Sequence, residues 1–239
     1  MKLIRKIIVK VVHSLGYDLY KIPKVDFAGL DHLGIVTIID IGANRGQFAQ
    51  KAKSIFTDAT IFCFEPTPTA FADLAQWARS QGQERVFAYN VALGDKREQK
   101  EFFLHADHTD SSSMLKTTQH YEQEFSFDKN RTSVKVEQYP LDQAIKELVK
   151  KDLQKEMLVK MDVQGYENLV IEGGRETLSA ARACIIEIVN DPLYLGQPDF
   201  KKIFLLMDGL GFVYHGNFEQ VKDHKDGHIV YYDAIFIKK

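Results

Sequence analysis

The spacing of apolar positions changes along the chain, and the changes divide it. Over residues 3–15, Leu3, Ile4, Ile7, Ile8, Val11, Val12 and Leu15 recur at helical intervals, with Lys2, Arg5, Lys6 and Lys10 between them. This predicts an amphipathic helix with a basic polar face. Gly16 and Pro23 end it and lead into a connector. From Ile35 onward, short apolar runs alternate with helical stretches. Strands are predicted over 35–41, 60–64, 86–91, 157–161 and 183–189, the unbroken apolar runs among them buried on both faces of a parallel sheet. Residues 101–104 and 133–139 carry further β character. Helices are predicted from about 46 to 55, over 68–80, over 141–150, from about 166, and over 200–210. Residues 212–215 and 231–237 close the chain as two strands able to form a hairpin. Repeated βα units of this kind predict an α/β, doubly wound sheet.

One stretch breaks the alternation. Residues 105–132 are polar, contain Ser111-Ser112-Ser113 and hold His105, His108 and His120, three of the eight histidines. A long polar segment inside a compact domain reads as a functional loop. The expected organisation is therefore a helix and connector over 1–30, then a single domain over 31–239 with a lid-like insertion at about 105–132.

The composition narrows the partners. The chain has 239 residues, 45% of them hydrophobic, long enough to bury a core without disulfides. With 31 Lys plus Arg against 33 Asp plus Glu, it lacks the basic excess of a nucleic-acid binder. The two cysteines, Cys63 and Cys184, sit in apolar β-branched stretches and read as inert buried thiols, compatible with a reducing compartment. No apolar run reaches the ~20 residues a spanning helix needs, and no signal peptide is evident. A soluble, cytoplasmic protein is expected. The basic helix has two readings: packing on the domain or on a second copy in a homodimer, or peripheral contact with anionic lipid at the inner membrane face.

In a doubly wound sheet, ligands bind beyond the carboxyl ends of the strands. After the first strand comes Asp40-Ile41-Gly42-Ala43-Asn44-Arg45-Gly46, whose glycines permit a tight turn and close backbone approach. Asn44 stands where a dinucleotide fingerprint carries its second glycine, which counts against a nicotinamide cofactor. The second strand ends in Phe64-Glu65-Pro66, where Glu65 can accept both hydroxyls of a ribose or, alternatively, cap the next helix. Asn90 and Ala92, after the third strand, offer one hydrogen-bonding edge and an apolar slot suited to adenine. Asp162 follows the strand at 157–161, Glu167 comes five residues later, and Glu187 lies in the strand at 183–189 with Asn190 and Asp191 just beyond its end. Converging acids suggest proton handling or a divalent cation.

These four motifs together, the last being Lys160-Met161-Asp162-Val163-Gln164-Gly165-Tyr166-Glu167, resemble the FkbM family of S-adenosylmethionine-dependent methyltransferases over about residues 35–190. The resemblance implies a seven-stranded class I methyltransferase sheet ending in an antiparallel hairpin, and O-methylation of a hydroxyl on a sugar, glycan or secondary metabolite. Asp40 and the backbone at Gly42, Ala43, Asn44 and Gly46 would hold the methionine end of S-adenosylmethionine. Glu65 and Pro66 would take the ribose, and Asn90 and Ala92 the adenine, with Asp162 beside the cofactor. Asp162, Glu167, His108 and His120 are the catalytic candidates, and Asp162 with Glu187 the candidate Mg²⁺ ligands. Gln164 departs from the pattern, standing where many members carry an acid. The alternatives are a nicotinamide oxidoreductase and a non-catalytic nucleotide-binding module.

Overall fold

The computed structural model describes residues 2–17, 27–82, 85–105, 112–118, 131–223 and 226–239. Along the chain run α1 (Lys2–Ser14), β1 (Thr37–Ile41), α2 (Gln47–Ile55), β2 (Thr60–Phe64), α3 (Pro68–Ser80) and β3 (Val86–Tyr89). Next come β4 (Ala92–Gly94), β5 (Glu98–His105), β6 (Arg131–Pro140), α4 (Leu141–Ala144), β7 (Met157–Met161) and α5 (Glu167–Gly173). The chain closes with α6 (Arg175–Ala180), β8 (Ala183–Val189), α7 (Phe200–Gly209), β9 (Phe212–Lys222) and β10 (Ile229–Lys238).

Seven strands form one sheet in the order β3-β2-β1-β7-β8-β10-β9. β3, β2, β1, β7 and β8 are parallel, β10 is antiparallel to β8, and β9 is antiparallel to β10. The strand order reverses between β1 and β7, so the crevice for a ligand is expected at their carboxyl tips. Alternate residues of each strand serve two cores. Ile39, Ile41, Phe62 and Phe64 pack with α4, α5 and α7 on one face, while Ile38, Ile61 and Cys63 pack with α2 and α3 on the other. Every residue of β1 and β7 is buried, which is why those runs are apolar without alternation.

The stretches of β character around 101–104 and 133–139 lie outside the large sheet. They lengthen into β5 and β6 and, with β4, make a separate three-stranded sheet in the order β4-β6-β5. Phe102, Val136, Tyr139 and Leu93 all join the first core, and along β6 Val134, Val136 and Gln138 alternate with exposed Ser133, Lys135 and Glu137. The helix expected over 141–150 is α-helical only to Ala144 and continues as a π turn over Ile145–Val149. The helix expected from 166 divides into α5 and α6 at Gly174, where the Leu141 side chain abuts the backbone. The closing hairpin is longer than its apolar residues indicate, because β9 continues through polar Glu219–Lys222 as an edge strand.

Candidate active site

The chain leaves β1 through Gly42 (φ 75°), Asn44 (φ 47°) and Gly46 (φ 87°) before entering α2. The Gly42 and Ala43 amides donate to the Phe64 carbonyl, and the Asp162 amide donates to the Ile41 carbonyl at 3.0 Å. This last bond draws the tips of β1 and β7 together. A Cβ at position 42 would lie 1.8 Å from the Asp162 carbonyl oxygen, so only glycine allows the approach.

Two cavities open on either side of this turn. The first, about 570 Å³ with its mouth, is lined by Gly42, Asn44, Glu65, Pro66, Val91 and Ala92, joined by Ser112 and Met114. Glu65 is buried at its edge. One carboxylate oxygen accepts from the Asn44 amide at 2.8 Å and the other from the Thr67 amide at 2.6 Å. Burial raises its pKa against the pull of these amides. The Thr67 side chain bonds this carboxylate as well, so Glu65 clamps the start of the β2–α3 connection to the glycine turn while lining the cavity. Asn90 is exposed and is not among the lining residues: its amide donates to the carbonyls of Glu65 (2.8 Å) and Pro66 (3.1 Å).

The second cavity, about 750 Å³, is lined by Asp40, Gln47, Phe48, Lys51, Lys160, Phe218, Glu219 and Asp233, and shares Gly42, Asn44 and Asp162 with the first. Register sets a charged row across the sheet here: Asp40 lies beside Lys160, and Asp233, also lining the cavity, beside Glu187, which does not line it. Lys160 is 5% exposed, with its ammonium 3.0 Å from Asp162 and 3.8 Å from Asp233. Burial alone would lower its pKa, but the surrounding carboxylates raise it, so it stays charged. Asp40 is raised to about 7 by burial, with Lys160 opposing. Two buried oxygens at this boundary, Asp40 Oδ2 and Asn44 Oδ1, have no protein donor. In a folded chain such atoms call for a ligand's hydrogens.

Asp162 forms the partition between the cavities. Burial pushes its pKa up, but Lys160 and Gln164 outweigh that and hold it below the usual carboxylate range. Gln164 (φ 54°) donates its amide to both Asp162 and Glu187, each at 2.8 Å, and accepts from the Tyr194 hydroxyl at 3.0 Å. Glu187 is pushed well up by burial and the Asp162 charge, in the opposite direction from Asp162. Glu167 is buried, and its Oε1 accepts from the amides of Val163 (3.2 Å) and Gly165 (3.1 Å), fixing the turn that carries Asp162. Burial raises its pKa to about 7. His108 and His120 lie outside the described residues. So does most of the expected lid, although Ser113 Oγ, within it, donates to the Gln164 carbonyl at 2.7 Å.

The pair suggested for Mg²⁺, Asp162 and Glu187, does not present an open donor set. Asp162 spends one oxygen on Lys160 and the other on Gln164, and Glu187 binds the same amide. These residues do not suit a hard dication, which asks for six or more oxygen donors without an ammonium among them. Among the described residues, the carboxylates and imidazole that do converge are Asp223, Asp226 and His228, at the β9–β10 turn. Sequence reasoning missed Lys160, Lys51, Asp233 and Phe218. Lys160 had a legible signal, a lone charge inside an unbroken apolar strand. The others come from the distant hairpin or from α2 and meet the site only through folding.

A doubly wound sheet with this order, a glycine turn at the switch point and a clamped carboxylate at the end of β2 define a class I methyltransferase. Comparison with known proteins agrees. Residues 40–214 match the Methyltransferase FkbM domain, so the chain belongs to the FkbM methyltransferase family. It is 31% identical over 176 residues to 2-O-methyltransferase NoeI of Sinorhizobium fredii (strain NBRC 101917 / NGR234), covering 71% of this chain and 70% of that protein. Its fold is similar to the crystal structure of methyltransferase FkbM from Methylobacillus flagellatus KT, with a TM-score of 0.51 at 12% identity. That match covers 85% of this chain, which spans only 44% of the other. The chain is thus an S-adenosylmethionine-dependent methyltransferase with an O-methyltransferase among its relatives, and the nicotinamide and non-catalytic readings are not favoured.

Proposed function

We propose that the enzyme methylates a hydroxyl of a sugar or glycan, with the cofactor lying across both cavities. The observation that carries this reading is the pair of cavities divided by Gly42, Asn44 and Asp162. The first offers an apolar slot at Val91, Ala92 and Met114 with Glu65 at its edge, which suits adenosine. The second offers an ammonium, Lys160, beside carboxylates, which suits the zwitterionic end of methionine. Asp40 Oδ2 would accept from the amino group there. The 2-O-methyltransferase relative supports an oxygen acceptor.

S-adenosylmethionine supplies a methyl already activated on its sulfonium. The protein must then align the acceptor oxygen, which can lower the barrier by roughly 7–11 kcal/mol, and receive its proton. Asp162 lines both cavities and is held below the usual carboxylate range, so it would accept the hydroxyl's hydrogen bond and take its proton as the methyl passes from sulfur to oxygen and S-adenosylhomocysteine leaves. The transfer in this reading needs no divalent cation, since Lys160 and Gln164 already neutralise and orient the acids.

Calorimetry with S-adenosylhomocysteine, with NAD as comparison and EDTA present throughout, tests it. Binding of S-adenosylhomocysteine and not NAD is expected, weakened about tenfold or more in Glu65→Gln through loss of charged hydrogen bonds. Preference for NAD, or binding that requires Mg²⁺, would overturn it.

A further inference from the structure

Helix α1 shares no residue with either cavity. Among its described side chains Ile8 is 49% exposed and Val11 53%, and Leu15, just past its end, is 68% exposed. Their i, i+3, i+7 spacing puts them on one face. Single exposed apolar residues are ordinary on a protein surface, but an aligned stripe marks an interaction site. Lys6, Lys10 and His13 are exposed as well, and the α1 sequence, with Lys2 and Arg5, contains no acidic residue.

The charge decides between occupants. Two copies pairing through this stripe would set lysine against lysine, where paired helices place opposite charges beside the seam. A bilayer bearing anionic headgroups complements both features, the apolar stripe and its cationic border. The helix has 13 residues against the ~20 needed to span, and no described helix is long and apolar enough to cross a membrane. It fits the headgroup plane, with lysine stems reaching outward to the phosphates.

We propose that α1 is an interfacial anchor, laying Ile8, Val11 and Leu15 into an anionic lipid surface while Lys6 and Lys10 meet its headgroups. The catalytic domain would then work beside a bilayer. This stands independently of the acceptor assigned above.

Flotation of the full chain tests it, using phosphatidylcholine vesicles with and without phosphatidylglycerol. Flotation is expected only with the anionic vesicles. The Lys6→Glu/Lys10→Glu variant is expected to reduce it by roughly 25-fold or more, at about fivefold for each cation lost near such a surface. Val11→Asp/Leu15→Asp is expected to abolish it. Both variants should keep wild-type affinity for S-adenosylhomocysteine, which separates loss of the anchor from loss of the fold and from failure of the functional reading. No flotation, equal flotation on neutral vesicles, or wild-type flotation of the lysine variant would each overturn the proposal. Sedimentation without vesicles supplies a further refutation: a dimer abolished by Val11→Asp/Leu15→Asp would assign the stripe to a second copy.

Discussion

Lys160 is the residue on which the site's charge balance turns. It is one buried ammonium facing Asp40, Asp162, Glu187 and Asp233. Replacing it by methionine keeps the volume but leaves Asp162 and Asp233 without their cation, and a broken buried pair costs about 3–5 kcal/mol. Lys160→Met is expected to show that loss in urea unfolding at neutral pH. Asp40 behaves in the opposite sense. Its folded-state pKa of about 7 lies above the ordinary 3.8, so the folded chain holds the proton more tightly than the unfolded one. Its contribution is intact at low pH and is lost as pH rises from about 4 through 7. Glu167, also raised to about 7, adds to the same slope. Asp40→Asn should therefore melt higher than wild type at pH 8, with the gap closing toward pH 4, while losing affinity for S-adenosylhomocysteine. Thermal melts at the two pH values, paired with calorimetry, would check both halves.

Secondary structure was most legible where one physical demand acted alone. The strands at 60–64, 157–161 and 183–189 and the helix at 68–80 coincide with their expected bounds, since continuous burial or helical periodicity suffices to define them. The three-stranded sheet was not legible, because one face of alternating residues does not say which sheet a strand joins. The candidate site divides along the same line. Asp40, Gly42, Asn44, Glu65, Ala92 and Asp162, singled out for their place at strand ends, line the two cavities. Asn90 and Glu167, singled out with them, bond backbone groups and line neither cavity: a side chain's direction depends on which neighbouring backbone groups lack partners. The small sheet brings its own close contact. At Gly173, in α5, a Cβ would sit 1.9 Å from the Gly94 carbonyl oxygen of β4. Gly173→Ala forces the helix and strand apart, and overpacking of this kind costs about 1–3 kcal/mol or more. Chemical denaturation of the variant should show at least that loss.

At the scale of the whole molecule, the sheet acts as a frame that brings together groups far apart in sequence. Lys51 from α2 and Glu219 from β9 form an ion pair at the rim of the second cavity, 168 residues apart. Net charge near balance conceals a segregated surface: the basic helix stands apart from an acidic crevice. The partition made by Gly42, Asn44 and Asp162 has a thermodynamic corollary. A ligand bridging two compartments binds as two tethered fragments, the second engaging at the high local concentration the first imposes. Adenosine and methionine should each occupy their own compartment weakly and without mutual exclusion, while the intact cofactor binds far more tightly than either. Competition titrations with the two fragments, singly and together, would read this directly. If each displaces the other, the wall does not divide the site. If they bind side by side, the enzyme holds its cofactor by avidity.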